Sequence, residues 1–189
     1  GRAVHKTMAC RPHYLEEPGR ALVLGSSPEM KAAVDDPDLA VTADHIMVLR
    51  YAGPKGGPGM PEWGMLPIPT KLVKQGVRDM LRLSDARMSG TSYGACILHA
   101  APEAYIGGPL ALVKTGDRIT VDVPARRIHL DVSDAELAAR RAAWVAPPPR
   151  YARGYGGMAA QHILQADQGC DFDFLETSFG APVAEPAIF

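Results

Sequence analysis

Apolar and polar positions along the chain fall into short runs that alternate between two periods. From Arg20, "RALVLGSSPEMKAAV" reads as a brief apolar strand and then a helix, with Ser27 as its N-cap and Pro28 at its first position. The helix is expected to stop near "DDPD", where Pro37 follows two acids. "DHIMVLRY" is a continuous apolar run bounded by polar residues, which predicts a buried strand. It feeds the Gly/Pro stretch "GPKGGPGMPEWGMLPIP", long for a loop in a compact domain, with several φ angles fixed by proline. "PTKLVKQG" predicts a short helix capped by Thr70, burying Leu72 and Val73, exposing Lys71 and Lys74, and ending at Gly76. A strand over roughly 80–83 leads into "SDARMSGTSYG", so the polar cluster starts where that strand ends.

"ACILHA" predicts a further strand. The clearest β signal follows: Ile119, Val121 and Val123, then Ile128, Leu130 and Val132, alternate with polar residues on either side of the turn "PARR". Ser133 and Glu136 form an S-x-x-E capping box for the helix "DAELAARRAAWV", which "APPPR" terminates. A last helix is expected over 157–166, and no internal repeat is visible. Strands outnumber helices, and an antiparallel hairpin coexists with helical connections. A mixed α/β domain, a β barrel or sheet with outer helices, fits better than a doubly wound one.

Composition narrows the partners. The chain has 189 residues, 47% apolar and 22% charged, the balance of an ordinary globular protein and of a single domain over 1–189. A formal charge of −1 provides no basic field for nucleic acid or an anionic membrane. Apolar runs are too short for a membrane span and no signal segment opens the sequence, so a cytoplasmic protein is expected. Cys10, Cys96 and Cys170 lack C-x-x-C spacing and read as reduced thiols. Pro102 argues against a helix that would bring His99 and Glu103 together as metal ligands, so a packed histidine is the better reading. Asp167, Asp171, Asp173 and Glu176 lack EF-hand spacing and read as a solvated acidic face.

Two residues attract chemistry. Glu62, between Pro61 and Trp63, offers an oxygen ligand suited to a hard cation such as Mg²⁺, although spacing alone favours an exposed loop glutamate. Ser89 is followed by Gly90, with hydroxyls on Thr91 and Ser92; backbone N–H groups around such a serine can stabilise its alkoxide, against the plainer reading of a turn serine. The pattern is not G-x-S-x-G, and the Gly-rich stretch is not a P-loop.

The blocks "YAGPKGGPGMPEWGMLPIPTKL", "SDARMSGTSYG", "LHAAPEAYIGGPLALVKTGDRITVDVP" and "ADQGCDFDFL" resemble, in order and spacing, the C-terminal domain of the dihydroxy-acid and sugar-acid dehydratase (IlvD/EDD) family. The resemblance covers about 19–175, and "SDARMSGT" is similar to the aldonate branch, such as pentonate dehydratases. It implies a swivelling β/β/α barrel-type fold. It also implies a hydro-lyase that converts a 2,3-dihydroxy acid, here a sugar acid, to a 2-oxo acid, with Mg²⁺ and an iron-sulfur cluster of the 2Fe-2S type. By resemblance Ser89 is the catalytic base, Glu62 a Mg²⁺ ligand, and Gly90 and Thr91 contacts to substrate. The cluster ligands belong to an N-terminal domain with no counterpart in this sequence, and Cys10, Cys96 and Cys170 do not match them. That domain is then a partner, and the complete enzyme is expected to be a homo-oligomer. "GRAVHKTMACRPHY" fits the family only loosely. Two alternatives stand beside this reading: a branched-chain dihydroxy-acid dehydratase domain, and a binding module that kept the barrel without the chemistry.

Overall fold

The structure is a computed structural model that describes residues 1–7, 10–16, 18–59, 66–87 and 93–178. Seven strands form one mixed sheet: β1 (Arg2–Lys6), β2 (Pro18–Leu24), β3 (His45–Leu49), β4 (Arg82–Ser84), β5 (Cys96–Ala101), β6 (Arg118–Asp122) and β7 (Arg127–Leu130). Four α-helices are described: α1 (Ser27–Asp35), α2 (Thr70–Lys74), α3 (Asp134–Ala143) and α4 (Gly154–His162). The strand order is β1-β5-β4-β3-β2-β6-β7. The neighbours β2, β3, β4 and β5 are parallel, while β1, β6 and β7 are antiparallel additions.

Why the central strands read as unbroken apolar runs is clear from their two faces. Ile46 and Val48 of β3 join Ala21, Ile97, Ile119 and Val121 in one core inside the curl of the sheet. Met47 and Leu49 point the other way, into a second core closed by Met30 and Val34 of α1 and Leu72 of α2. With both faces covered, alternation is not needed. The sheet curls into a half barrel. A groove of about 690 Å³ is lined by Arg2 and Ala3 of one edge strand and by Arg127 and Ile128 of the other. The expected mixed α/β, barrel-type fold with helices outside is therefore present, opened along β1 and β7.

Several local expectations shift. Ser26, not Ser27, caps α1, because its Oγ accepts the Glu29 N–H at 3.2 Å and leaves Pro28 inside the first turn. Pro69 occupies the cap of α2, and the Thr70 hydroxyl instead donates to Asp35 Oδ1 at 2.8 Å. That five-residue helix turns only Leu72 inward and leaves Val73 exposed. The strand expected over 80–83 is Arg82–Ser84, and the last helix runs Gly154–His162 rather than 157–166. Ser133 accepts the Glu136 N–H as its spacing predicts. Ile128 is exposed since β7 is an edge strand with no layer over it. No helix among the described residues is long and apolar enough to cross a membrane.

Candidate functional site

Glu62, Ser89, Gly90 and Thr91 all lie outside the described residues, which include the flanks of both their segments. The stretch 60–65 follows β3, the stretch 88–92 follows β4, and these two strands are adjacent and parallel. Loops that follow neighbouring parallel strands gather at one end of a sheet, the usual place for a ligand in an α/β fold.

The polar groups around these flanks are unusual for a protein interior. The buried polar or charged residues described are Asp79, Arg82, Ser84, Asp85, Glu103 and Gln165. Asp85 alone begins a connection, while Asp79, Arg82, Glu103 and Gln165 lie in or beside β4, β5 and the segment after α4. Charges are rarely buried unless paired or hydrogen-bonded, and here each has at least one such partner, although Asp79 Oδ2 has none among the described residues.

Asp85 and Glu103 hold the start of the Gly/Pro stretch. Asp85 Oδ1 accepts the Ala52 N–H at 3.0 Å, and Oδ2 accepts those of Tyr51 at 3.2 Å and Ala104 at 2.9 Å. Its carboxyl is pushed up to about 6 by burial, against the pull of those backbone N–H bonds and with a smaller push from the Glu103 charge. Glu103 Oε1 accepts the Lys55 N–H and Gln165 Nε2, each at 2.8 Å, and Oε2 accepts the Gly56 N–H at 2.9 Å. Gln165 closes the ring by accepting the Glu103 N–H at 2.8 Å. A carboxylate only accepts and a backbone N–H only donates, so the orientation of the Gln165 amide is fixed. Gly53 packs so closely on this ring that a Cβ there would stand 2.6 Å from Glu103 Oε2.

Arg82 holds the other ends. Its Nη1 donates to the Leu66 carbonyl at 3.1 Å and its Nε to the Met80 carbonyl at 3.2 Å, while Nη2 reaches both the Tyr93 carbonyl and Asp79 Oδ1. Asp79 Oδ1 in turn accepts the N–H groups of Met80 and Ala95, each at 2.9 Å. Leu66 is the first described residue after 60–65 and Tyr93 the first after 88–92.

No group of three or more His, Cys, Asp or Glu side chains suited to a metal occurs among the described residues. Burial pushes the Cys10 thiol up to about 11 and likewise raises Cys96 and Cys170. With no such group among them, the described residues do not fit an iron-sulfur cluster, and Asp85 and Glu103 each already accept three N–H donors. His99 lies in β5 with its pKa lowered, first by burial and then by the Arg87 charge. Asp167 and Asp171 are exposed, as is Asp173, which meets His162 Nδ1 at 3.0 Å.

Spacing gave no sign of Arg82, Asp85, Glu103 or Gln165, since their partners are mostly far away in sequence. The available signal was a charge inside an apolar run: Arg82 in "DMLRLS" and Glu103 in "APEAY".

Residues 1–170 match a family model described as the dihydroxy-acid/6-phosphogluconate dehydratase C-terminal domain. The chain is 53% identical over 186 residues to a 6-deoxy-6-sulfo-D-gluconate dehydratase of Pseudomonas putida, covering 98% of this chain and 32% of the relative. It is 48% identical over 183 residues to an L-arabinonate dehydratase of Rhizobium leguminosarum bv. trifolii, covering 97% and 32%. A dihydroxy-acid dehydratase of Chromohalobacter salexigens is 43% identical over 159 residues, covering 84% and 27%. The chain thus spans about a third of the length of these curated relatives.

Proposed function

The chain belongs to the dihydroxy-acid/6-phosphogluconate dehydratase family, matching its C-terminal domain, and from that premise we propose that it is the base-carrying domain of a sugar-acid hydro-lyase. Its substrate is a 2,3-dihydroxy acid such as a pentonate, and its product the 2-oxo-3-deoxy acid. The observation that supports the substrate class is the extent of the match: the sulfogluconate and arabinonate dehydratases align with 98% and 97% of this chain, the dihydroxy-acid dehydratases with 68–84% of it, at 43–52% identity.

In this reading Ser89, as alkoxide, takes the proton from C2 as the C3–O bond breaks, and that same proton passes to the departing 3-hydroxide to give water and restore the alkoxide. The resulting enol carries its hydroxyl on C2 and tautomerises, with a proton added at C3, to the 2-oxo acid. Gly90 and Thr91 orient the substrate, and Glu62 contributes an oxygen ligand to Mg²⁺. The iron-sulfur cluster is the Lewis acid expected for the complete enzyme, and its ligands belong to the part of the relatives' length that this chain does not span. The buried ties at both connections support the reading, because a base must be held within hydrogen-bond reach of its proton. A cytoplasmic homo-oligomer with an N-terminal cluster domain completes the proposal. Exposed Tyr151, Tyr155 and Met158 on and beside α4, a helix with no buried residue, supply an apolar surface for that domain.

The test is turnover by the longer polypeptide containing this chain on pentonates, 6-deoxy-6-sulfo-gluconate and 2,3-dihydroxyisovalerate, with Mg²⁺ and the cluster restored anaerobically. Sugar-acid preference is expected, and preference for the branched-chain acid would refute the substrate class. Ser89→Ala should lower turnover by a factor of about 10² or more; more than about one percent of wild-type activity contradicts the base role.

A further inference from the structure

Among the described residues β1 pairs only with β5 and β7 only with β6, and both free edges border the groove of about 690 Å³. We propose that this groove receives one more strand, supplied by the segment of the longer polypeptide joined directly to Gly1, and that this strand carries a carboxylate. The inference does not rest on the reaction assigned above.

The groove has an apolar interior and two unpaired rims. Leu83 and Val121 of the inner core form its floor, and Ile128 stands 41% exposed in one wall. An edge strand displays unpaired N–H and C=O groups, and closing a barrel removes both edges at once. Strand directions permit that closure. β1 is antiparallel to β5, while β7, antiparallel to β6, runs the same way as the parallel strands β2 to β5. A strand that turns into β1 as a hairpin runs antiparallel to it and parallel to β7, so it can pair with both.

Position and charge identify the occupant. The family match is to a C-terminal domain, and the chain spans 32% of the sulfogluconate and arabinonate dehydratases, so the length for such a strand lies on the N-terminal side. Gly1 itself lines the groove, where a Cβ on it would stand 2.7 Å from the Ala101 carbonyl oxygen and 3.6 Å from Pro109 Cγ. A segment joined to it needs no spanning loop. With a hairpin turn of about 2–5 residues and a strand as long as the five-residue β1, the occupant lies within about ten residues before Gly1. Arg2, Arg126 and Arg127 line the groove, and among the described residues their side chains have no hydrogen bond or ion pair. Asp122, the single acid of the lining, is engaged by the Ala125 N–H at 2.9 Å. This excess of positive charge selects a strand with a carboxylate. Like charges set directly opposite are destabilising, so the edge of a second copy, bringing Arg2 and Lys6 or Arg127, fits poorly.

The experiment places p-benzoylphenylalanine at position 128 of the longer polypeptide, mixes isotopically light and heavy protein in equal amounts, irradiates, digests and reads the cross-linked peptides by mass spectrometry. A link within one chain, to a peptide from the ten or so residues before Gly1, is expected. A mixed light–heavy link would assign the groove to a second copy. That result, a link to 179–189 or to another stretch, or no link at all, would overturn the inference. Arg126→Glu combined with Arg127→Glu is expected to speed hydrogen exchange of the β7 amides about tenfold relative to β3, and unchanged exchange would refute the acidic complement. Should the position-128 variant not fold, the unsubstituted longer polypeptide decides: every amide of β7 is expected to be as protected as those of β6. Alternate β7 amides exchanging as fast as those of the turn 124–126 would leave a free edge and refute closure.

Discussion

Replacing Glu103 with glutamine removes one acceptor from a ring that has none to spare. The carboxylate is fully buried and takes three N–H donors, from Lys55, Gly56 and Gln165. An amide has one oxygen. If that oxygen stays at the Oε1 position, the new NH₂ confronts the Gly56 N–H across a distance that is 2.9 Å in the native protein. If the amide is flipped, it confronts both Lys55 and Gln165, so the first arrangement is better. Gln165 cannot turn its own amide without losing the Glu103 N–H. One orphaned N–H costs about 1–3 kcal/mol, and the two surviving bonds lose their charge assistance; relief from burying an ion offsets part of this. The net expectation for Glu103→Gln is a loss of about 2–4 kcal/mol, read by urea unfolding at pH 7 with far-UV circular dichroism. A loss below about 0.5 kcal/mol would show that the N–H groups find water or that the ring is not closed in solution.

Asp85 should leave a signature in the pH dependence of stability. Its folded pKa, about 6 against an ordinary 3.8, is raised, so the folded state holds the proton more tightly and stability falls as pH rises from about 4 to 6. The stability of wild type minus that of Asp85→Asn should therefore drop by about 3 kcal/mol across that window in urea titrations, and a difference that is flat or rises with pH would be incompatible with a buried, desolvated carboxylate. Gly94 has φ +87, and a Cβ there would stand 2.0 Å from Asp79 Oδ1 and 2.5 Å from Arg82 Nη2. Because Asp79 Oδ1 is pinned by two backbone N–H groups, Gly94→Ala should cost at least about 3 kcal/mol or prevent folding, and a wild-type melting temperature would contradict the described geometry.

What the sequence revealed follows from how far each signal reaches. β2, β3, β5 and the β6–β7 hairpin were legible because burial on one or both faces writes itself into consecutive residues. The Ser133 capping box was legible because cap and partner are three residues apart. The α1 cap was misplaced by one position since Ser26 and Ser27 are chemically identical, and only the hydrogen bond from the Glu29 N–H separates them. The apolar side chain of Val73 predicts an inward position, but the five-residue helix turns only Leu72 inward. The roles of Glu62 and Ser89 came from resemblance to a family and not from spacing. Nothing local marked the ring of Asp85, Glu103 and Gln165, whose members meet only after β4, β5 and the segment beyond α4 have been brought together.

The strand order also fixes a timetable for the growing polypeptide. β2, α1 and β3 form a right-sized parallel unit from consecutive chain, and β4 can add to it as soon as it is made. β1 is different: it precedes the other six strands of this sheet, yet its sheet partner is β5, beginning at Cys96. Until then it has none of these strands to pair with, and an unpaired strand edge is an invitation to aggregation. Its composition answers that exposure. Arg2, His5 and Lys6 occupy three of its five positions, and most of its residues remain open to solvent even when docked. The earliest of these seven strands thus carries side chains that tolerate waiting in water.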